Sequence, residues 1–213
     1  MDPRSPALEQ MLEAIATARN ALARRTAEDR VHAVGYSLGG RMLLHHLVRN
    51  RGAGFASVLL IGSHLGLKER KERLERLQMD RQWIRILQNK GPSLFFTQWK
   101  NQPLLRRWND LPEAQRKAAM HRAAEADPEA WIRILEELSP GKLPSLEPDL
   151  ESLDLPILLL AGERDTKYAD YYRNLAPRLP RAEARMIPGA GHAAHLDQPV
   201  AVLEVFSRWI SSC

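Results

Sequence analysis

One stretch of the chain decides the fold class: Val31-His32-Ala33-Val34-Gly35-Tyr36-Ser37-Leu38-Gly39. Its first six residues form a short apolar run with β-branched side chains, which predicts a buried strand. Residues 38–50 resume the apolar spacing of a helix, so Ser37 falls at a strand-to-helix turn. Gly35 and Gly39 flank the serine in the G-x-S-x-G pattern, in which small residues allow a sharp turn that exposes the hydroxyl. Unreactive glycine-rich turns share this pattern, but the strand and helix predicted around it favour a reactive serine.

The segments on either side of this stretch extend the same architecture. Residues 6–24 show helical apolar spacing after Ser5, a residue type that commonly caps helices. Apolar runs predict further strands at 56–62 and 157–162, and a weaker one at 184–188. Strands that alternate with helices predict a parallel sheet covered by helices on both faces.

A long segment interrupts this alternation. Residues 64–149 show no strand pattern, are rich in Arg, Glu, Gln, Leu and Trp, and are divided by Pro92, Pro103, Pro112 and Pro128. We therefore expect three or four helices inserted into a single α/β core. The expected organisation is a first part of the core at 1–63, a helical lid insertion at 64–149 and a second part of the core at 150–213.

Two further residues can activate the serine. A serine hydroxyl is a poor nucleophile or base until a histidine accepts its proton, and an acid must orient that histidine. Asp165 follows the third predicted strand and His192 follows the fourth, in the order serine, acid, histidine. Taken singly, these are an ordinary turn carboxylate and an ordinary loop histidine. Together they predict a triad of Ser37, Asp165 and His192, with the N–H of Leu38 directed at a developing oxyanion.

The other histidines are expected to have structural roles. His45 and His46 lie on the helix after Ser37, and we expect them on or near its solvated face. His64 comes just after the second predicted strand, at the same sheet edge as Ser37, so a site-lining role and a structural role both stay open. The remaining three are assigned to structural positions or to the surroundings of the site: His32, His121 and His195. No set of residues has the spacing of a metal site, so neither a metal nor a cofactor is expected.

Composition restricts the class of protein. The chain has 213 residues, 44% of them hydrophobic and 27% charged, which is typical of one folded domain. Its single cysteine, Cys213, excludes an intrachain disulfide and a cysteine-based metal site. No apolar run approaches the roughly 18 residues of a membrane span, and the N-terminus lacks the pattern of a signal peptide. We therefore expect a cytoplasmic protein without membrane association.

Charge is unevenly distributed along the chain. The net charge is +5, yet residues 68–107 contain eleven basic and four acidic side chains, an excess of seven. A basic segment of this kind is compatible with nucleic acid, an anionic membrane or an acidic small molecule. Because no recognised nucleic-acid-binding module accompanies the charge, nucleic acid is not expected as a partner.

Several motifs define a family resemblance. The serine motif is Gly35-Tyr36-Ser37-Leu38-Gly39-Gly40-Arg41, the acid motif is Gly162-Glu163-Arg164-Asp165-Thr166-Lys167-Tyr168, and the histidine motif is Ala190-Gly191-His192-Ala193-Ala194-His195. Inside the insertion, the matching positions are Gly66-Leu67, Asp80-Arg81-Gln82-Trp83, Trp99 and Gln102-Pro103-Leu104. With these motifs the chain resembles a menaquinone-pathway family, 2-succinyl-6-hydroxy-2,4-cyclohexadiene-1-carboxylate synthase, over most of its length.

The resemblance implies an α/β-hydrolase fold in which a helical lid is inserted. It implies that Ser37, activated by His192, removes a proton from the substrate, after which pyruvate is eliminated and a cyclohexadiene forms. The substrate carries several carboxylates, so the resemblance also implies arginines that bind them, best in bidentate fashion. By motif position, these arginines are Arg41, Arg76 and Arg122. The residues expected to line the cavity are Tyr36 and Trp99.

Without the resemblance, two of these arginines would have simpler interpretations. Arg41 would be interpreted as part of a surface ion pair, and Arg76 as part of a solvated helix face. The family resemblance favours the substrate site for both residues. It leaves the oligomeric state open.

The chain departs from the family pattern at its beginning. Members of the family have further strands before the first helix, and one of those strands ends in a His-Gly loop that supplies a second oxyanion N–H. This sequence contains no such loop, and roughly two β-α units, on the order of 60 residues, are missing. We therefore expect an N-terminally truncated form of the fold with one sheet edge unpaired. Two interpretations stay open: the sequence begins too late, or the protein is a truncated relative. A smaller departure is Leu65, where the family often has proline.

Three other functions remain open at this stage. The same triad could serve an esterase or a carbon-carbon bond hydrolase, whose lid would offer apolar contacts rather than arginines. The chain could instead be a non-catalytic relative in which the fold survives and turnover does not. Nucleic-acid binding through the basic segment is the least favoured of the three.

Overall fold

Four parallel strands form the central sheet: β1 (His32–Tyr36), β2 (Ser57–Ile61), β3 (Ile157–Gly162) and β4 (Ala182–Ile187). This computed structural model describes residues 5–24, 30–105 and 112–212. The strands lie in the order β1-β2-β3-β4, and all three pairings are parallel. The prediction of a parallel sheet is confirmed, and only the fourth strand begins earlier than expected, at Ala182. Among the residues counted or named above, Arg106 and Arg107, which belong to the basic segment 68–107, and Cys213 lie outside the described part of the chain.

Eight helices accompany the strands in the described part of the chain. They are α1 (Pro6–Ala23), α2 (Ser37–Arg49), α3 (Arg70–Trp99), α4 (Glu113–Ala124), α5 (Pro128–Glu137), α6 (Thr166–Leu175), α7 (Ala194–Asp197) and α8 (Pro199–Ile210). Short 3₁₀ helices follow at Glu147–Ser152 and Ala176–Arg178. No helix in these described ranges is long and apolar enough to cross a membrane.

The chain divides into two units. The sheet unit comprises Gln10–Leu65 and Leu146–Cys213, and the helical unit comprises Met1–Glu9 and Gly66–Ser145. Each is described separately below.

The core of the sheet unit lies on both faces of β3. Leu159 and its neighbours on one face pack in a cluster with Leu47 of α2 and Tyr172 of α6. Leu158 and its neighbours on the other face pack in a cluster with Trp209 of α8. Successive strand residues point to opposite faces, so an apolar run such as β3 is buried on both sides. The expected coverage of the sheet by helices on both faces is confirmed.

Strand β1 lies at one edge of this sheet, and β4 lies at the other. Of the five residues of β1 only Gly35 is buried, and Val34 at its centre is 57% exposed. Within residues 5–24, 30–105 and 112–212, β1 pairs with β2 alone. An open sheet has an unpaired edge on each side, here β1 and β4 among the described strands, so the expectation that missing strands leave one edge unpaired stays a prediction.

The helical unit is built from α3, α4 and α5. Helix α3 is kinked at Gly91, whose φ of 76° and ψ of 173° are not helical, and Pro92 follows directly. The kink has the usual cause, because proline lacks the N–H that a continuous helix needs. The apolar core of this unit comprises Ile84, Leu87, Phe95, Ile132 and Leu135, with Trp83, Trp99 and Trp131 packed against it.

The prediction for His45 and His46 was wrong. Both side chains are buried rather than solvated, and α2 is buried from Gly40 to Leu47. The reason is a second layer of structure, since His46 bonds to the backbone of Leu12 in α1 and its ring contacts Phe55 at 5.8 Å. Burial lowers the pKa of His45 to about 4, with the charges of Arg41 and Arg49 adding to the effect.

Candidate active site

The turn after β1 holds Ser37 in a strained conformation. Its φ is +48°, which non-glycine residues seldom adopt. A side chain on Gly35 would overlap the Cα of Gly40, and one on Gly40 would lie 2.8 Å from the carbonyl oxygen of Gly35. The motif glycine Gly39 has open space around it. The sequence pattern therefore located the turn correctly, but the close backbone approach involves Gly40 rather than Gly39.

Ser63 braces this turn from the end of the neighbouring strand. Its hydroxyl donates a hydrogen bond to the carbonyl oxygen of Ser37 at 3.0 Å. Its backbone N–H donates to the hydroxyl of Tyr172 at 2.7 Å, which ties the end of β2 to α6. The sequence analysis did not identify Ser63, because a serine after a strand carries no distinctive pattern.

The structure brings together Ser37, Asp165 and His192. The Nε2 atom of His192 lies 3.2 Å from the hydroxyl oxygen of Ser37, and its Nδ1 atom lies 2.8 Å from Oδ2 of Asp165. The side chains of Asp165 and His192 are buried. With a proton on Nδ1, the imidazole donates to the carboxylate and accepts the serine proton at Nε2.

The acid and the histidine are each held by the turn that follows their strand. The carboxylate of Asp165 caps α6 by accepting from the N–H of Tyr168 at 3.4 Å. The N–H of Gly191, next to His192, donates to Asp197 at 2.6 Å. These turns stand at the carboxyl ends of adjacent parallel strands, which is why residues so distant in sequence meet.

Two aromatic rings and a glycine surround the imidazole of His192. Its ring centroid lies 5.3 Å from that of Tyr36 and 5.0 Å from that of Tyr168. A side chain on Gly62, whose φ is +55°, would lie 2.7 Å from Cε1 of His192. Only a residue without a side chain allows the ring this position. Gly62 and Tyr168 were missed by the sequence analysis, although a glycine at the end of a strand is a usable signal.

The hydroxyl of Tyr36 stays protonated near neutral pH. Burial raises the pKa of Tyr36 to about 12, and the charges of Asp165 and Asp197 contribute to the same effect. A protonated phenol in this position is a hydrogen-bond donor. The ring centroid of His195 lies 4.6 Å from that of Tyr36, and burial lowers the pKa of His195.

The remaining predicted site residues fall in both units. Leu38, at the start of α2, is partly buried, and Arg41, one turn further along, is buried. Arg76 and Trp99 lie on α3 of the helical unit, where Trp99 packs 5.1 Å from the rings of Phe95 and Trp83. Arg122 is exposed on α4.

The other histidines have identifiable surroundings. His64 is partly buried, with its ring 6.3 Å from that of Tyr168, and its role stays a prediction. His32 contacts the hydroxyl of Ser57 at 2.8 Å, and His121 contacts the carboxylate of Glu125 at 3.1 Å. Over the described ranges, no group of three or more His, Cys, Asp or Glu side chains is placed to hold a metal ion.

Comparison with protein families agrees with this arrangement. The model of the alpha/beta hydrolase family matches residues 2–205. The chain belongs to the alpha/beta hydrolase family.

Curated relatives confirm the narrower resemblance. The chain is 31% identical over 193 residues to the 2-succinyl-6-hydroxy-2,4-cyclohexadiene-1-carboxylate synthase of Photorhabdus laumondii, covering 89% of this chain and 66% of that protein. It is 34% identical over 170 residues to the synthase of the same name from Escherichia coli, covering 80% and 64%. The chain thus spans about two thirds of the length of these relatives.

Solved structures share the fold. The structure of MenH from S. aureus matches with a TM-score of 0.84 at 24% identity, covering 94% of this chain and 75% of that one. A thermophilic esterase from Thermogutta terrifontis matches with a TM-score of 0.75 at 20% identity, covering 96% and 72%.

Proposed function

We propose that this protein eliminates pyruvate from 2-succinyl-5-enolpyruvyl-6-hydroxy-3-cyclohexene-1-carboxylate, the activity implied by the resemblance to the menaquinone-pathway synthases. The observation that supports a base-catalysed reaction is the position of His192 between the hydroxyl of Ser37 at 3.2 Å and the carboxylate of Asp165 at 2.8 Å. The relatives named for this reaction, at 31% and 34% identity, support the choice of substrate.

In the proposed reaction, Ser37 acts as the base. His192 accepts the proton of the serine hydroxyl at Nε2, and Asp165 stabilises the resulting imidazolium through Nδ1. The serine oxygen then removes a proton from a ring carbon of the substrate, a second carbon-carbon double bond forms in the ring, and the carbon-oxygen bond to the enolpyruvyl group breaks. The leaving enolate takes up a proton, which the imidazolium of His192 returns, and is released as pyruvate. The side chains of the triad supply the whole base, so the proposal includes no cofactor and no metal.

Substrate binding is assigned to the charged and aromatic residues named above. Guanidinium groups bind carboxylates with two parallel hydrogen bonds, and the substrate has several carboxylates. The proposed partners of these carboxylates are Arg41, Arg76 and Arg122. Tyr36 and Trp99 are proposed to line the cavity, and the N–H of Leu38 to stabilise negative charge on a substrate oxygen. The segment 64–149 is proposed to act as a lid for the core segments 1–63 and 150–213.

Replacement of the serine tests the proposal directly. We expect the wild-type chain to release pyruvate from the synthetic substrate. In Ser37→Ala the rate of pyruvate release should fall by about 10⁴-fold or more, because the triad acts as a unit. The matched control is Ser93→Ala, which changes an exposed serine of α3 and should leave the rate unchanged. Pyruvate release that persists in Ser37→Ala would contradict the assignment of the base.

Hydrolysis of an ester or of a carbon-carbon bond is the second candidate. The same hydrogen bonds around His192 suit acyl transfer, in which Ser37 attacks a carbonyl carbon and Leu38 supplies an oxyanion donor. Comparing pyruvate release with cleavage of a p-nitrophenyl ester separates the two reactions. A chain that does neither, and whose Ser37 does not react with a fluorophosphonate probe, would instead be a non-catalytic relative.

A further inference from the structure

In the helical unit, the buried carboxylate of Asp80 is hydrogen-bonded to the guanidinium of Arg76. The Nε–H of Arg76 donates to both carboxylate oxygens of Asp80, at 2.9 Å and 3.0 Å. Asp80 itself is only 2% exposed. It lies one helical turn after Arg76 on α3, on the buried side of that helix.

A third residue completes the environment of this carboxylate. The hydroxyl of Ser139 donates to Oδ2 of Asp80 at 2.6 Å. The N–H of Gly141 donates to the same hydroxyl oxygen at 2.9 Å. Because this N–H occupies the acceptor side of the hydroxyl, the serine proton points at Asp80 and the direction of the chain of hydrogen bonds is defined.

The turn that contains Ser139 is itself fastened to α3. The side chain of Arg73 donates to the carbonyl oxygen of Gly141 at 3.1 Å and to that of Lys142 at 3.0 Å. Asp80 therefore receives hydrogen bonds from two segments that are anchored to each other. These hydrogen bonds fix the position of the Asp80 carboxylate. The carboxylate in turn fixes the position of the Arg76 guanidinium, which would otherwise sample several rotamers.

The contact with Asp80 uses only one of the five N–H groups of the guanidinium. Among the described residues, the terminal Nη1 and Nη2 groups of Arg76 make no hydrogen bond, and its side chain is 30% exposed. These two nitrogens form the flat end of the guanidinium that binds a carboxylate with two parallel hydrogen bonds. The pair of Lys71 and Glu75 on the same helix is 4.0 Å apart, and both of its side chains are mostly exposed.

A buried carboxylate is costly unless it is fully hydrogen-bonded, and apolar residues would stabilise a helix pair equally well. We infer that Asp80 and Ser139 are positioning residues, which hold the guanidinium of Arg76 so that its Nη groups bind a carboxylate of the ligand. The inference rests on the proposed function in assigning Arg76 to substrate binding. It adds residues that act through Arg76 and do not touch the substrate.

A double-mutant cycle tests this dependence. In the wild-type background, Asp80→Asn should raise KM for the proposed substrate by about ten- to a hundredfold with little change in kcat, because a misplaced guanidinium binds the carboxylate poorly. In the Arg76→Gln background, Asp80→Asn should change KM by less than about twofold. Equal increases in both backgrounds would overturn the inference, because Asp80 would then act independently of Arg76.

Further variants separate positioning from folding. Ser139→Ala removes one hydrogen bond from Asp80 and should raise KM by several-fold in the same Arg76-dependent way. The control Glu75→Gln neutralises an exposed carboxylate of the same helix and should change nothing. A fall in melting temperature without any rise in KM for Asp80→Asn and Ser139→Ala would show that the network only stabilises the helical unit.

Binding of succinate keeps the inference separate from the proposed reaction. The Nε–H signal of Arg76 in nitrogen-15 NMR spectra reports the contact with Asp80, and titration with succinate reports carboxylate binding by the guanidinium. Binding that weakens in Asp80→Asn but not in Glu75→Gln would support the positioning role even if no pyruvate were released. Succinate binding that is unaffected by both Arg76→Gln and Asp80→Asn would overturn it.

Discussion

Two strand-turn-helix segments of the sheet unit each supply one member of the candidate triad, and they differ in how their strands are paired and buried. Strand β3, which leads to Asp165, lies between β2 and β4 and is buried along its whole length. Strand β1, which leads to Ser37, pairs within the described ranges only with β2 and exposes Val34. The acid therefore follows a strand that is paired on both sides, whereas the serine follows an edge strand and is held by its turn and by the hydrogen bond from Ser63.

The helices of these two segments, α2 and α6, differ in whether their buried polar atoms have hydrogen-bond partners. In α6, the buried hydroxyl of Tyr172 accepts a hydrogen bond from the N–H of Ser63. In α2, the buried Nε2 atom of His45 has no hydrogen-bond partner among the described residues. A buried polar atom without a partner costs stability, whereas a satisfied one does not. The helix that follows the serine thus contains a buried polar atom whose missing hydrogen bond costs stability.

The largest expected difference is in the free energy of unfolding, between a substitution in β3 and one in β1. Leu159→Ala in β3 removes a fully buried side chain and should lower the free energy of unfolding by about 2 to 5 kcal/mol. Val34→Ala in β1 changes a mostly exposed side chain and should cost less than about 1 kcal/mol. Urea unfolding of both variants measures the contrast. Equal costs would mean that β1 is covered in solution, by a second copy or by another polypeptide.

A smaller effect is expected at the serine turn. Gly40→Ala places a methyl group that overlaps the hydroxyl oxygen of Ser63 and lies 2.8 Å from the carbonyl oxygen of Gly35, and it should cost about 1 to 3 kcal/mol. It should also slow labelling of Ser37 by a fluorophosphonate probe. Gly39→Ala, the matched control, enters open space at the start of α2 and should change stability by less than about 1 kcal/mol. A rate of labelling that is insensitive to Gly40→Ala would show that the turn does not determine the position of the serine.

The smallest expected effect is the loss of stability at acidic pH that results from the burial of His45. Its pKa is lowered to about 4 in the folded protein from 6.5, so the unfolded chain gains a proton first as the pH falls. At pH 7.5 and above, His45 is almost entirely neutral in both states and has little effect. Between pH 7.5 and 5.5 the difference should lower the free energy of unfolding by about 1.4 kcal/mol.

Chemical unfolding at the two pH values measures this loss. His45→Leu removes the titrating group and should make the chain less sensitive to acid by that amount. His121→Gln changes an exposed histidine on α4 and is the control. If His45→Leu leaves the pH dependence unchanged, His45 is not buried in the folded protein.

The sequence predicted the elements of the sheet unit well because each depends on a local rule. Short apolar runs between turns predicted the strands, and their alternation with helices predicted that the sheet is parallel. The order serine, acid, histidine predicted which residues stand at the strand ends. Ser5 was expected to cap the first helix, and its hydroxyl oxygen accepts a hydrogen bond from the N–H of Leu8 at 3.1 Å.

Other features could not be predicted because they depend on contacts between distant segments. Helical periodicity could not show that His45 and His46 lie under a second layer. The glycine pattern could not show that Gly40 rather than Gly39 makes the close approach. Nothing near Asp80 in the sequence indicates that Ser139 bonds to it.

The sequence by itself determined the fold class, the strand ends and the family of this protein, since these follow from patterns that repeat over a few neighbouring residues. The tertiary structure alone decided that His192 reaches both Ser37 and Asp165, and that Arg76 is held through Asp80. Distances between side chains depend on how separate segments pack against one another, and the order of residues along a chain does not specify that packing in any locally readable form.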